Sequence, residues 1–382
     1  MKRAKARSGW VDAIAGMPRG LARAADVAIR DVMRVRKSER VVIITNPEPD
    51  VLPISAALMD ASLARGSDAS VIVQPRRSQL DMASDAVIHA LRSEPEVVIS
   101  ISGSKLGKDR FGLEKPYRFP GVPGKWSHIF NALMGSGKAR AFWSPSVTLD
   151  TFIRTVPVDY ALMRRRARKL GTALNRADRV HVTAPGGTDI ELGLRGRKAQ
   201  LDDGSFSRPG TGGNLPAGET YISPANYDAE GVLVFDGSLA VVDGGAFVPR
   251  RPVTVDVQGG RAIRIRGGAG AKRFEASLRA GEAMARGMKG LKGWSAKRIH
   301  AYERNARHLG ELGIGLNPRA RVTGNMLEDE KILGTCHFAI GANYDDDAEA
   351  FIHLDCIVKS PTIAVISKTG KRREIMRGGK IL

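Results

Sequence analysis

The chain changes its hydrophobic period near residue 170, and that change limits it to two kinds of sheet. Before it, helical and strand patterns take turns. Residues 19–36 (RGLARAADVAIRDVMRVR) repeat apolar positions at helical spacing, and RVVIIT from Arg40 is a short buried-strand pattern. ISAALMDASLAR from Ile54 returns to helix and SVIVQP from Ser70 to strand, which makes a β-α-β unit. A helix over 80–92 and the strand EVVISIS from Glu96 extend the series, so crossover geometry predicts a mainly parallel sheet covered by helices. After a Gly/Pro-rich stretch at 111–124 and the strand ARAFWS from Ala139, a long basic helix is expected over 148–172, kinked or divided at Pro157.

Beyond that helix, RVHVTAP, TDIELGL, GVLVFDG, PVTVDVQ and RAIRIRG are short alternating segments separated by Gly and Pro, the pattern of antiparallel sheet. Two helices, at about 270–288 and 294–309, interrupt it. The expected fold is α/β: an N-terminal, mainly parallel α/β domain over 1–170 and a C-terminal α+β domain with antiparallel sheet over 171–382. A length of 382 residues fits two cores better than one.

Composition narrows the function classes. No stretch approaches the roughly 18 uninterrupted apolar residues that a membrane-spanning helix needs. The basic start MKRAKARSGW runs into Asp12, Gly16 and Pro18, which break any signal-like apolar region, so a cytoplasmic, membrane-free protein is expected. The formal charge of +20 attracts polyanions at long range, but it is spread out. Its densest runs are the first seven residues, Arg164 to Lys169 and the tail from Lys368. Aromatics make up 5% of the chain, too few for an obvious base-stacking platform, so nucleic acid is not the expected partner.

Two nucleotide motifs are incomplete. MGSGKAR has Ala132 and Ala139 where a P-loop needs Gly and Ser or Thr, and GGAGAKRF follows no β-α-β unit of the right kind. ATP and NAD are therefore not expected.

The chemistry gathers in the last third. His353 and Asp355, two apart in the strand-like FIHLDCIV, project from one face and can chelate, while Ile352, Leu354 and Cys356 point into the core. His337 lies in a second strand, CHFAIG, with Tyr344 seven residues on, beyond the GAN turn. Glu311 sits among glycines and aliphatics in GELGIGLNP, where a buried carboxylate needs a partner, either an arginine or a metal. Glu219 follows the turn-rich GTGGNLPAG. Two imidazoles and three carboxylates are the donors that borderline divalent metals take. Cys336 and Cys356 flank two of these residues but alternate to the opposite face, so they are expected to be reduced thiols rather than ligands.

Taken in order over residues 214–358, NLPAGETYISP, EGVLVFDGS, ELGIGLNP, CHFAIGANY and HLDCIV resemble the thermophilic metallo-aminopeptidases of the aminopeptidase T and S type. The N-terminal half resembles them only in its α/β character and in GGTDIEL near Asp189. The resemblance implies an α/β N-terminal domain, a metal-bearing C-terminal domain and a homodimer enclosing active sites for short or unstructured peptides. It implies that Glu219, Glu311, His337, His353 and Asp355 ligate two divalent ions (Zn, Co or Mn), with Tyr344 beside them as a ligand or a catalytic hydrogen-bond donor; Glu311 is the expected bridging carboxylate. N-terminal residues would then be released by a metal-bridged water, with Tyr344 stabilising the oxyanion and Glu219 a candidate general base. One departure is the short, acidic segment NYDDDAEAFIH between Tyr344 and His353, which bears on the substrate pocket.

A second reading comes from the ring-cleaving dihydroxypyridine dioxygenases, which resemble the same aminopeptidases and use one Fe(II) held by two histidines and a carboxylate. On that comparison Glu311 discriminates, since histidine there favours iron and glutamate favours two metals. A third reading is a non-catalytic basic binding protein whose hold on nucleic acid weakens with salt.

Overall fold

The computed structural model describes residues 18–78 and 81–382. The basic first seven residues and the Asp12 and Gly16 breaks lie outside the described residues. Chain contacts divide the protein into two compact units, residues 1–160 with 204–217, and residues 161–203 with 218–382.

The first unit holds a five-stranded sheet in which strand Arg40–Thr45 lies between Asp68–Val73 and Val97–Ser102. Arg140–Pro145 and Gly212–Asn214 follow on the far side, and every pairing is parallel. Parallel strands covered on both faces need near-continuous apolar runs. All six residues of Val97–Ser102 and five of six in Arg40–Thr45 are buried. The crossover helices include Val51–Ala64 and Asp85–Arg92. The last strand is a departure from the sequence reading: GGN at 212–214 has no strand propensity, and it joins this sheet through backbone pairing with Ala141 to Trp143. MGSGKAR is the end of helix Ile129–Gly135 and a turn, with Lys138 paired to Glu94.

The expected long basic helix is two, Leu149–Thr155 and Tyr160–Asn175, separated around Pro157. The second unit contains two mostly antiparallel sheets of eight and seven strands. In the eight-stranded sheet, Val253–Gln258 and Arg179–Thr183 alternate buried residues with half-buried or exposed ones, as period-two patterning requires. The helix Gly268–Arg286 packs its Phe274 edge-on to Phe235, with ring centroids 6.1 Å apart. The seven-stranded sheet runs Ala246–Phe247, Leu239–Ala240, His353–Lys359, Thr335–Gly341, Leu309–Gly315, Glu219–Ile222 and Gln200–Asp202. Its two central strands, Leu309–Gly315 and Thr335–Gly341, are buried along their whole length. Among the described residues, no helix is long and apolar enough to cross a membrane.

Candidate metal centre

Register brings the candidate residues together from four neighbouring strands. Gly315 pairs with Glu219, Gly313 with His337, Ala339 with both Glu311 and Asp355, and Gly341 with His353. Because side chains alternate, all five donors rise from one face. The opposite face carries Ile222, Leu312, Ile314, Phe338, Ile340, Leu354 and Cys356, each buried in the core. Both thiols are free and buried on that apolar side, where desolvation pushes their pKa values up.

Small residues on the donor face make the room. A β-carbon on Gly313 would overlap the His337 imidazole. The glycines of GELGIG therefore provide space for a ring on the adjacent strand.

Glu311 occupies the centre. Its Oε1 lies 3.1 Å from His337 Nε2 and its Oε2 lies 3.3 Å from His353 Nε2. His353 Nε2 is also 3.3 Å from Asp355 Oδ1, and His337 Nε2 is 3.5 Å from Glu219 Oε2. His353 Nδ1 donates to the carbonyl of Ala342 at 2.8 Å, which leaves Nε2 as the nitrogen turned toward the carboxylates. Two donor groups result, Glu219, Glu311 and His337 in one and Glu311, His353 and Asp355 in the other. Glu311 belongs to both, and neither contains both histidines.

The charges are strongly coupled. Burial disfavours its imidazolium, yet the carboxylates of Glu311 and Glu219 push His337 up to about 9, and Asp355 and Glu311 hold His353 well above the usual range. Burial likewise opposes the charge on Asp355, but the His353 imidazolium outweighs it and lowers Asp355 to about 2. Glu311 is lowered by its two histidines against the same penalty. Without a metal, protons on the imidazoles are what neutralise these carboxylates.

Tyr344 is placed at the rim. It is 58% exposed, and its ring centroid stands 4.9 Å from that of His353 and 5.3 Å from that of Tyr221. The acidic segment that follows is tied down: Arg197 pairs with Asp347 at 2.9 Å and Asp345 at 3.6 Å, and the Asn343 amide donates to Asp347.

Sequence reasoning missed a second layer behind Glu219. Lys331 is fully buried, and its ammonium touches Glu219 Oε1 and Glu330 Oε1 at 2.7 Å and Asp202 Oδ2 at 3.2 Å. Burial pushes Asp202 up to about 7 and Glu330 up to about 8. NMLEDEKILG is rich in charge, yet Glu328, Asp329 and Lys331 are all fully buried. The sequence signal was an acidic run ended by one lysine shortly before a ligand-bearing strand.

The residues fit a metal. Glu219 Oε2 and Glu311 Oε2 are buried with no hydrogen-bond partner, and both face the convergence of nitrogen and oxygen donors.

A family model, NicX (2,5-dihydroxypyridine 5,6-dioxygenase), matches residues 147–369, more than half of the chain. The chain belongs to that family. No curated protein matches it. Among solved structures it is similar to the 2,5-dihydroxypyridine dioxygenase from Pseudomonas putida KT2440, at 16% identity and a TM-score of 0.69, over 95% of this chain and 96% of that one. It is also similar to wild-type AmpT from Thermus thermophilus, at 19% identity and a TM-score of 0.64, over 96% of this chain and 100% of that one. At such identities these two likenesses establish the fold, a mixed α/β architecture with one parallel sheet and antiparallel sheets. The aminopeptidase resemblance is thus met in the fold, while the family match falls to the dioxygenase group that sequence reading placed second.

Proposed function

We propose that this member of the NicX family is a metal-dependent hydrolase that holds two divalent ions and releases N-terminal residues from short peptides. The observation that carries this reading is Glu311, one carboxylate shared by two donor groups. A facial site for one ferrous ion needs two histidines and a carboxylate around a single point. Among the described residues, the converging groups put His337 and His353 on different sides of Glu311.

Charge supports ligation. Lys331 pairs with Asp202, Glu219 and Glu330, whereas Glu311 and Asp355 pair with the imidazoles of His337 and His353. Divalent ions held there would take over the neutralisation of Glu311 and Asp355 with both imidazoles neutral, as ligation requires. When bound, such a pair supplies an activated water and polarises the scissile carbonyl.

The side chains then divide the work. Glu311 holds the two positions in register. Glu219 has Oε1 engaged by Lys331 and Oε2 turned to His337, so it serves as a ligand rather than as the general base considered from sequence. Tyr344, exposed beside His353, donates a hydrogen bond to the oxyanion that develops at the mouth of the site.

The family match favours a second reading, oxidative ring opening of a dihydroxypyridine on one Fe(II), and of the comparisons it is the only one that rests on sequence relationship. Elemental analysis of purified protein separates the two. Two equivalents of zinc, cobalt or manganese, with chelator-sensitive release of leucine from a leucyl peptide, support hydrolysis. One equivalent of iron, with oxygen uptake on 2,5-dihydroxypyridine and no peptide cleavage, overturns it.

A further inference from the structure

Lys331 is a fully buried ammonium held among Glu219, Glu330 and Asp202, and neither proposed reaction uses it. It lies at the end of a segment that is itself anchored: Asp329 accepts from Ser238 Oγ at 2.5 Å, from the Thr323 amide at 2.8 Å and hydroxyl at 2.9 Å, and from the Gly324 amide at 2.8 Å. The backbone at Lys331 is also fixed, since its carbonyl accepts from the Asn317 amide at 2.7 Å. With its backbone anchored and its side chain fully buried among three carboxylates, the Lys331 ammonium is a fixed point beside which Glu219 packs.

We propose that Lys331 is the positioning residue that makes the Glu219-side metal position. By holding Oε1 at 2.7 Å it turns the other oxygen, Oε2, toward His337, 3.5 Å away, where it stands buried and without a hydrogen-bond partner. A carboxylate tied on one oxygen has its plane and its other oxygen fixed in orientation, which is how an outer partner orients a metal ligand. Its contacts confine Lys331 to this role. It touches none of Glu311, His353 or Asp355 among its ion pairs, so the second position does not depend on it.

This inference rests on the two-ion reading, and the test keeps the two apart. Zinc per chain is measured by elemental analysis after equilibration across buffered free-zinc concentrations, for wild type, Lys331→Met, Glu330→Gln and the double variant Lys331→Met/Glu330→Gln. Wild type and Glu330→Gln, which both keep Lys331 on Glu219, should bind two zinc ions. Lys331→Met should fill one position as wild type does and bind the other at least about tenfold more weakly. The double variant keeps the formal charge of the wild-type cluster, because one cation and one carboxyl are replaced together, and should show the same loss because the contact that orients Glu219 has been removed. Two ions with wild-type affinities in either Lys331 variant, or loss of an ion in Glu330→Gln alone, would overturn the assignment of Lys331 while leaving the two-ion reading intact. A single ion in wild type removes both.

Discussion

At the scale of single residues, the cage depends on what is absent as much as on what is present. Gly313 faces His337 across a strand pair, and any β-carbon there overlaps the imidazole. Gly313→Ala should therefore displace His337 and weaken zinc binding at the Glu219-side position by about 10- to 100-fold, the usual cost of disturbing a ligand's support. Competition with a chromophoric chelator reads this directly, and an unchanged affinity would mean that His337 holds no ion. A different histidine governs acid sensitivity. His308 is fully buried beside Tyr227, its ring nitrogens have no hydrogen-bond partner, and desolvation pushes it down to about 4. The unfolded chain binds that proton near 6.5. As pH falls through 6.5 the unfolded state gains a proton the native state refuses, so stability is lost from there down to about 4. By pH 5 the loss from this residue is about 2 kcal/mol. His308→Leu should lose less stability than wild type between pH 7 and pH 5, measured as the shift in urea midpoint. Equal slopes for the two proteins would show that His308 is not buried neutral.

At the scale of elements, the segment from Asn317 to Gly334 carries Lys331 and Glu330 with little regular structure, a single short helix at Met326–Asp329. Side-chain bonds substitute for backbone ladders there. Asp329 collects four donors from Ser238, Thr323 and Gly324, so Asp329→Ala leaves those groups unpaired and should cost about 3 kcal/mol. Urea unfolding should report the loss, and zinc stoichiometry should fall with it as Lys331 loses its anchor. This segment also shows why legibility stops where it does. The parallel strands were readable because burial on both faces imposes uninterrupted apolar runs, and HLDCIV was readable because period two puts His353 and Asp355 on one side with Leu354 and Cys356 on the other. Strand Gly212–Asn214 was not, since its place is set by a neighbour's backbone rather than by its own side chains. The burial of LEDEK was not legible for a related reason. Charge normally marks solvent, and only the partner positions, Glu219 and Asp202 more than a hundred residues away, make a buried lysine tolerable.

At the scale of the whole molecule, the net charge of +20 and the charge of the site have opposite signs. Basic residues outnumber acidic ones along the chain, yet the donor face gathers the carboxylates of Glu219, Glu311 and Asp355, of which only Glu219 meets the buried Lys331 ammonium among the described ion pairs. The excess positive charge therefore does not supply the counter-charge at the cage. In the absence of metal, that role falls to protons on His337 and His353 and, through burial, on Asp202 and Glu330. Metal binding should displace protons, and the folded state should be the only state that offers four strands' worth of donors at once. Ions that bind only the folded state stabilise it by about 2.7 kcal/mol for each site at a free concentration 100 times the dissociation constant. Removing them with a chelator should thus lower the melting temperature by several degrees without abolishing the fold, because the apolar face of the seven-stranded sheet remains packed. Restoring zinc should recover the original transition in wild type but only part of it in Glu311→Gln, which removes the carboxylate common to both groups. Scanning calorimetry of the three states is the measurement. A chelated protein that melts with the untreated one, after elemental analysis has verified that metal was present and then lost, would show that these donors contribute nothing to folding through a bound ion.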